Sequence, residues 1–272
     1  MIMLFVLFVP GCLKQQTVET AADVLPRDSF LLLRKTISVY RCGEDAKTSC
    51  APEKYKSLAS GFVIETTPDG AFAITAGHVC DTEYDLSKMP NVEARAIYLV
   101  SRLDGEQFEA RVLSYNSQLD VCMLYVKNLI GVPAVVVSDR APTPGDKVYN
   151  LAAPVGIYRK NMVPIIEGRF NGNASGLAWY SLPAAPGSSG SMIVNSNGEL
   201  IGMVHSVMIR FPIISLSTKY EDLKAFIDLN LTKFTLYKKV MHELGLEDIF
   251  TPLVPLNLDK SKQNSTIVPL HL

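Results

Sequence analysis

Leu182-Pro-Ala-Ala-Pro-Gly-Ser-Ser-Gly-Ser-Met-Ile-Val194 joins a proline- and glycine-rich loop to a short apolar run, with Ser189 set between Gly187 and Gly190. Glycine reaches backbone angles that other residues adopt only at a steric cost. A turn of this composition can push a hydroxyl outward and aim neighbouring N–H groups at one point. A nucleophilic serine requires that geometry, because the oxyanion it creates must be met by fixed donors. Serine by itself is a poor nucleophile, so the reading needs a histidine base and an orienting carboxylate elsewhere.

Both occur in suitable settings. Ile74-Thr-Ala-Gly-His-Val-Cys80 follows a strand-like run and holds one of the chain's four histidines. Ser117-Gln-Leu-Asp-Val-Cys-Met-Leu124 puts Asp120 at the head of an apolar, β-prone run. The chain order is His78, Asp120, Ser189, with separations of 42 and 69 residues. An α/β-hydrolase would need G-x-S-x-G with the serine first in the chain; here Ser191 stands where the last glycine belongs and the serine comes last. Taken singly, each stretch has a plainer role: a surface turn, a buried hydrogen-bonded histidine, a strand-edge cap.

Together the three motifs resemble those of the trypsin-like (chymotrypsin-fold) serine peptidases. T-A-G-H is similar to that family's T-A-x-H, L-D-V-C-M-L to its D-(I/L)-A-(L/V)-L, and G-S-S-G-S-M to G-x-S-G-(G/S)-P, over a span from about Ala59 to Thr218. The resemblance is closest to minimal bacterial and viral members, including the HtrA-like and glutamyl endopeptidase branches. It implies an all-β fold of two antiparallel β-barrels with C-terminal helices, and a serine endopeptidase acting on a protein or peptide through an acyl-enzyme. His78, Asp120 and Ser189 would be the catalytic triad, and the N–H groups of Gly187 and Ser189 the oxyanion hole. The same scaffold without catalysis, a binding protein of the cell envelope, is the alternative; Ser191-Met192 in place of the family's Gly-Pro or Ser-Pro points that way.

The resemblance also bears on specificity. Pro183 lies six residues before the nucleophile, at the floor of the family's primary pocket, and is not an acid, so a basic side chain is not expected there. Glu-specific relatives carry a histidine where this chain has Val204; His205 falls one residue later, and a shift of one on a strand turns a side chain to the other face. His205 is therefore expected beside Asp120, or packed at the surface, with a small or apolar primary residue preferred. Ser188 replaces the aspartate of trypsin-type zymogens, so activation by N-terminal cleavage is not expected. The stretch after residue 230 is too short for a PDZ module, so a full HtrA protein is not expected.

The rest of the chain agrees with a folded, exported domain. With 48% hydrophobic and 19% charged residues and a net charge of −1, the 272-residue chain has a core's composition and no basic patch for nucleic acid. Residues 1–11 are an apolar run too short to span a bilayer but suited to a signal segment. Val9-Pro-Gly-Cys12 resembles the bacterial lipoprotein box, so the expectation is export, as an envelope lipoprotein anchored through a lipid on Cys12 or as a secreted protein, with residues 12–28 as a tether. Strand and turn signals divide the remainder into a first barrel over 29–135, a second over 136–218 with strands expected over 162–170, 200–207 and 211–217 among others, two helices within 219–250 and a tail over 251–272. Of the other four cysteines, Cys42 and Cys50 flank a polar loop that a disulfide between them is expected to close. Cys80 and Cys122 each lie two residues beyond a triad member; they are either a second bridge or buried free thiols. No Cys/His cluster has metal-ligand spacing, and no cofactor is expected.

Overall fold

The computed structural model describes residues 24–40, 53–81, 93–244 and 268–269. The signal segment, Cys12, Cys42, Cys50 and most of the tail lie outside the described residues. Two β-barrel units pack side by side, the architecture expected from the sequence.

The first unit is a closed barrel of six strands, β1 (Phe30–Tyr40), β2 (Glu53–Thr67), β3 (Gly70–Ala76), β4 (Glu93–Ser101), β5 (Gln107–Asn116) and β6 (Val121–Lys127), in the order β1-β2-β3-β6-β5-β4. Closure removes exposed sheet edges. β3 is buried along its whole length and β6 up to Val126, which is why both read as continuous apolar runs rather than alternating ones. Their antiparallel register pairs Thr75 with Cys122 and Ala76 with Val121. The residues just beyond β3 and just before β6 are thereby brought to one end of the barrel.

The second unit is one eight-stranded curled sheet of β7 (Lys147–Leu151), β8 (Ile165–Ala174), β9 (Leu177–Tyr180), β10 (Ser191–Val194), β11 (Leu200–Val204), β12 (Ser206–Val207), β13 (Ser215–Thr218) and β14 (Val268–Pro269). Its order is β11-β10-β7-β8-β9-β13-β12-β14. It curls until β11 faces β13, where the Met203 N–H donates to Ser217 Oγ at 3.0 Å. Val148, Phe170, Tyr180, Leu182, Ile193, Ile201 and Val204 fill its interior. The connection between the units is stitched to both: Val135 N–H donates to Val63 O at 2.9 Å and Ser138 N–H to Leu200 O at 3.0 Å.

Four local expectations are modified. The strand predicted over Leu200–Val207 breaks at His205, whose N–H donates to Leu216 O at 3.1 Å. The strand expected from Met162 to Phe170 is shifted to Ile165–Ala174, turning into β9 through Ser175 and Gly176 at positive φ. The strand expected over Phe211–Ser217 is confined to Ser215–Thr218. The two predicted helices are one, the 24-residue helix Tyr220–Glu243. Buried Phe226, Ile227 and Phe234 carry it across Asn230-Leu-Thr-Lys233, and Asn230 Nδ2 donates to Phe226 O at 2.8 Å. The helix lies back on the first barrel, Phe234 stacking on Phe72 with centroids 6.3 Å apart and Lys238 pairing with Asp69 at 2.8 Å. No helix among the described residues is long and apolar enough to cross a membrane.

Candidate active site

His78 sits on a single helical turn, α1 (Gly77–Cys80), which begins where β3 ends. Asp120 is the last residue of the turn between β5 and β6, one residue before the strand it was expected to head. That turn is shaped by Asn116, whose Oδ1 accepts the Gln118 and Leu119 N–H groups at 2.9 and 3.0 Å, and Asp120 leaves it at φ 51°. A left-handed aspartate is a strained conformation that surrounding structure must hold. Gly77 permits the approach: a Cβ there would lie 2.9 Å from the Asp120 carbonyl carbon and from Val121 N.

The Asp120 carboxylate grips His78 twice. Oδ1 accepts the His78 backbone N–H at 2.7 Å, and ring Nδ1 lies 3.0 Å from Oδ1 and 2.9 Å from Oδ2. Burial pushes the Asp120 carboxyl up, but the charge and hydrogen bonds of His78, with a further contribution from His205, outweigh it and hold the pKa at about 2. Asp120 is thus ionised at neutral pH, and a proton on Nδ1 leaves Nε2 of a neutral ring as the basic nitrogen.

His205 is the second ring at this carboxylate, with Nδ1 3.5 Å from Asp120 Oδ2 and 3.0 Å from Ser206 Oγ. It is only 6% exposed, so of its two expected settings the structure gives the one beside Asp120 and not the surface. Burial lowers its pKa, opposed by the Asp120 charge, reinforced by His78, and opposed again by a hydrogen bond to the Ser217 backbone. Thr218, also from the second barrel, donates its hydroxyl to the Leu119 carbonyl beside Asp120.

Gly187 and Ser189 come from the loop between β9 and β10. Gly187 has φ 97° and Gly190 φ 83°, so both need the freedom that glycine has. A Cβ on Gly187 would lie 2.4 Å from Ala153 O, and one on Gly190 2.2 Å from Ser60 O. The turn is sewn to the first barrel by the Ser60 N–H, which donates to Ser189 O at 2.8 Å, and Gly190 is packed so closely that its missing Cβ would lie 2.8 Å from Ala76 N, two residues before His78. Ser189 Oγ is buried with no hydrogen-bond partner. Among the described residues, the Gly187 and Ser189 N–H groups have no acceptor either. Ser191 and Met192 are accommodated by Asn150, whose Nδ2 donates to Ser191 Oγ at 2.7 Å and to Met192 O at 2.9 Å.

The candidate pocket residues separate. Pro183 is exposed, whereas Val204 is fully buried in the core of the second sheet, pairs with Ser191 and accepts the Gly190 N–H at 2.7 Å. Cys80 and Cys122 form a disulfide, with Cα atoms 6.4 Å apart, which resolves their two readings. Among the described residues no group of three or more His, Cys, Asp or Glu side chains could hold a metal. Sequence reasoning passed over Ser60, a fully buried serine in β2 that touches the Gly187–Gly190 turn at two points. A signal was available in Gly61: an interior strand glycine marks a close backbone approach, and a Cβ there would lie 2.9 Å from Ile74 O.

Residues 59–203 match the family model of the trypsin-like peptidase domain. Among curated proteins, the chain is 25% identical over 173 residues to a probable periplasmic serine endoprotease, DegP-like, of Buchnera aphidicola subsp. Schizaphis graminum, covering 61% of this chain and 33% of that protein. The periplasmic serine endoprotease DegP of Escherichia coli is 25% identical over 162 residues, 57% of this chain and 31% of its own length. The serine endoprotease DegS of Escherichia coli is 25% identical over 193 residues, 67% of this chain and 50% of its own length. The chain therefore spans about a third of the length of the first two relatives and half that of the third.

Proposed function

The chain belongs to the trypsin-like peptidase domain family, and we propose that it is a serine endopeptidase working through His78, Asp120 and Ser189. His78 Nε2 takes the Ser189 hydroxyl proton as Oγ attacks a peptide carbonyl, then returns it to the leaving amine. Water enters the vacated place, is deprotonated by the same ring, and releases the acyl group. Asp120 keeps the Nδ1 proton in place and stabilises the imidazolium formed in each half. The Gly187 and Ser189 N–H groups receive the oxyanion; losing one such donor elsewhere costs about 10²–10³ in turnover.

One observation carries this reading. The Ser189 hydroxyl and two N–H groups of the same turn, close together in the chain, are left without partners among the described residues. Buried polar groups without partners are costly, and a substrate's reacting carbonyl would use all three.

Specificity follows the same residues. Pro183, exposed and uncharged at the position of the family's pocket floor, favours cleavage after a small or apolar residue over a basic one. Two of the relatives are named as periplasmic, which supports export; the first eleven residues suit a signal segment, and Cys12 is the proposed lipidation point. The function is tested by labelling the purified protein with a fluorophosphonate. Covalent labelling of the parent and none of Ser189→Ala is expected, with loss of nearly all casein cleavage in Ser189→Ala and His78→Ala. Persistent labelling of Ser189→Ala, or its transfer to dependence on Ser188, would overturn the assignment.

A further inference from the structure

Each peptide group of the turn from Pro186 to Gly190 is held at one end or both. The Pro186 carbonyl accepts the Val155 N–H at 2.6 Å, and the Ser188 carbonyl accepts the Ser191 N–H at 3.0 Å. The Ser189 carbonyl accepts the Ser60 N–H at 2.8 Å, while the next N–H, of Gly190, donates to Val204 O at 2.7 Å. The remaining peptide, Gly187–Ser188, is tied at its N–H to Ala185 O at 2.9 Å and at its carbonyl by the Ser60 hydroxyl at 2.8 Å. All of these ties from outside the turn are main chain except one, the Ser60 hydroxyl.

That hydroxyl is itself fixed. Ser60 is fully buried, its Oγ accepts the Ala153 N–H at 3.1 Å, and its carbonyl accepts the Thr75 hydroxyl at 2.7 Å. Its proton therefore has one place to go, the Gly187 carbonyl. Gly187, at φ 97°, is the residue of the turn best able to rotate. The amides of Gly187 and Ser189 lie on the two adjoining peptides, and the backbone angles that join those peptides to the Gly187–Ser188 peptide set how the two N–H groups point relative to each other.

We propose that Ser60 is a positioning residue for the oxyanion site: its hydroxyl, delivered from the first barrel, locks the Gly187 carbonyl and so fixes the direction in which the Gly187 and Ser189 N–H groups point. The proposal rests on the peptidase reading above. A purely structural serine would affect folding stability alone. A positioning serine acts on the transition state, where the oxyanion exists, and not on bound substrate.

The test compares the parent with Ser60→Ala and with the isosteric pair Ser60→Thr and Ser60→Val, which differ only in the hydroxyl. Steady-state cleavage of an Ala-Ala-Pro-Leu p-nitroanilide is measured beside inhibition by the matching peptide boronate, whose tetrahedral adduct places an oxygen at the two N–H groups. Ser60→Ala is expected to lower kcat about tenfold, the equivalent of about one lost neutral hydrogen bond. KM should stay within about twofold, and the boronate should weaken by the same factor as kcat. Ser60→Thr should exceed Ser60→Val in kcat by a similar factor, and this comparison decides the matter if Ser60→Ala does not fold. A kcat for Ser60→Ala within twofold of the parent, or equal losses in the Thr and Val variants, overturns the proposal while leaving the peptidase reading intact. A parent that neither cleaves nor takes the fluorophosphonate overturns the peptidase reading first, and Ser60 with it.

Discussion

Replacing Cys80 and Cys122 together with alanine removes a cross-link that closes a loop with a sequence separation of 42 residues. In the chain-entropy account, such a loop restricts the unfolded ensemble by about 13 cal/mol/K, or about 4 kcal/mol at room temperature. The native state has little strain to set against this, because Cys122 already pairs with Thr75, five residues before Cys80. Both cysteines are buried, at 4% and 0% exposure, so the lost sulfurs add a smaller packing penalty. With a urea dependence near 3 kcal/mol/M, the unfolding midpoint should drop by about 1–1.5 M. The slope should rise as well, since the uncrosslinked unfolded chain exposes more surface. Turnover measured well below the transition should change little, because Asp120 holds His78 through both amide and ring without the bridge. Equilibrium urea unfolding followed by tryptophan fluorescence, with peptide cleavage in dilute buffer, measures both. A loss under about 1 kcal/mol with an unchanged slope would refute the idea that the bridge acts on the unfolded chain. A large loss of turnover at full folding would show instead that it shapes the site.

Gly187→Ala would bring a Cβ to 2.4 Å from Ala153 O at a φ of 97°, so the turn must shift; turnover should fall by about 10² or more with the fold retained by circular dichroism, and near-parental cleavage would contradict this. Asp120 has its folded pKa depressed from 3.8 to about 2, so it contributes about 2 kcal/mol that is fully present above pH 4 and lost as pH falls from about 4 to 2. Urea unfolding across that window should show the loss in the parent and not in Asp120→Asn; an equal loss in both would rule it out. The His205 pKa is also depressed, so its contribution is present above its ordinary 6.5 and declines as pH falls below that, and His205→Gln should flatten this upper part of the profile. His205→Ala should slow cleavage of all sequences in a peptide library without altering preference, because the ring faces Asp120; dominant cleavage after Glu in the parent, lost in the variant, would show that the ring receives substrate.

Much of the site was legible because its elements are local. Gly187 and Gly190 announced the strained turn, and Thr-Ala-Gly77-His78 and Leu119-Asp120 sit at strand ends that an antiparallel pairing of β3 with β6 brings together. What escaped was set by contacts distant in the chain. His205 leaves the strand because its N–H is taken by Leu216, and no periodicity marks that bond. Asn230-Leu-Thr-Lys233 looks like a helix break by propensity, yet Phe226 and Phe234 are buried on either side and packing carries the helix through. Ser60 meets Gly187 across 127 residues, so only Gly61 beside it hinted at a close approach. Asp120 reads as strand from its neighbours; its left-handed backbone follows from the Asn116 turn and the grip on His78.

The long helix has a consequence for the order in which the molecule can be made. Phe72 and Asp69 emerge from the ribosome with the first barrel, but Phe234 and Lys238, which cover them, come much later; Lys238 follows Asp69 by 169 residues. The barrel is complete at Lys127, so at translation rates of about 5–20 residues per second it waits roughly five to twenty seconds for Lys238. Throughout that interval the nascent chain carries a bare aromatic surface at Phe72 and Tyr125, open to the apolar contacts that lead to aggregation. The barrel that bears His78 and Asp120 is made before the second sheet, yet the helix that seals its outer wall comes after seven of that sheet's eight strands.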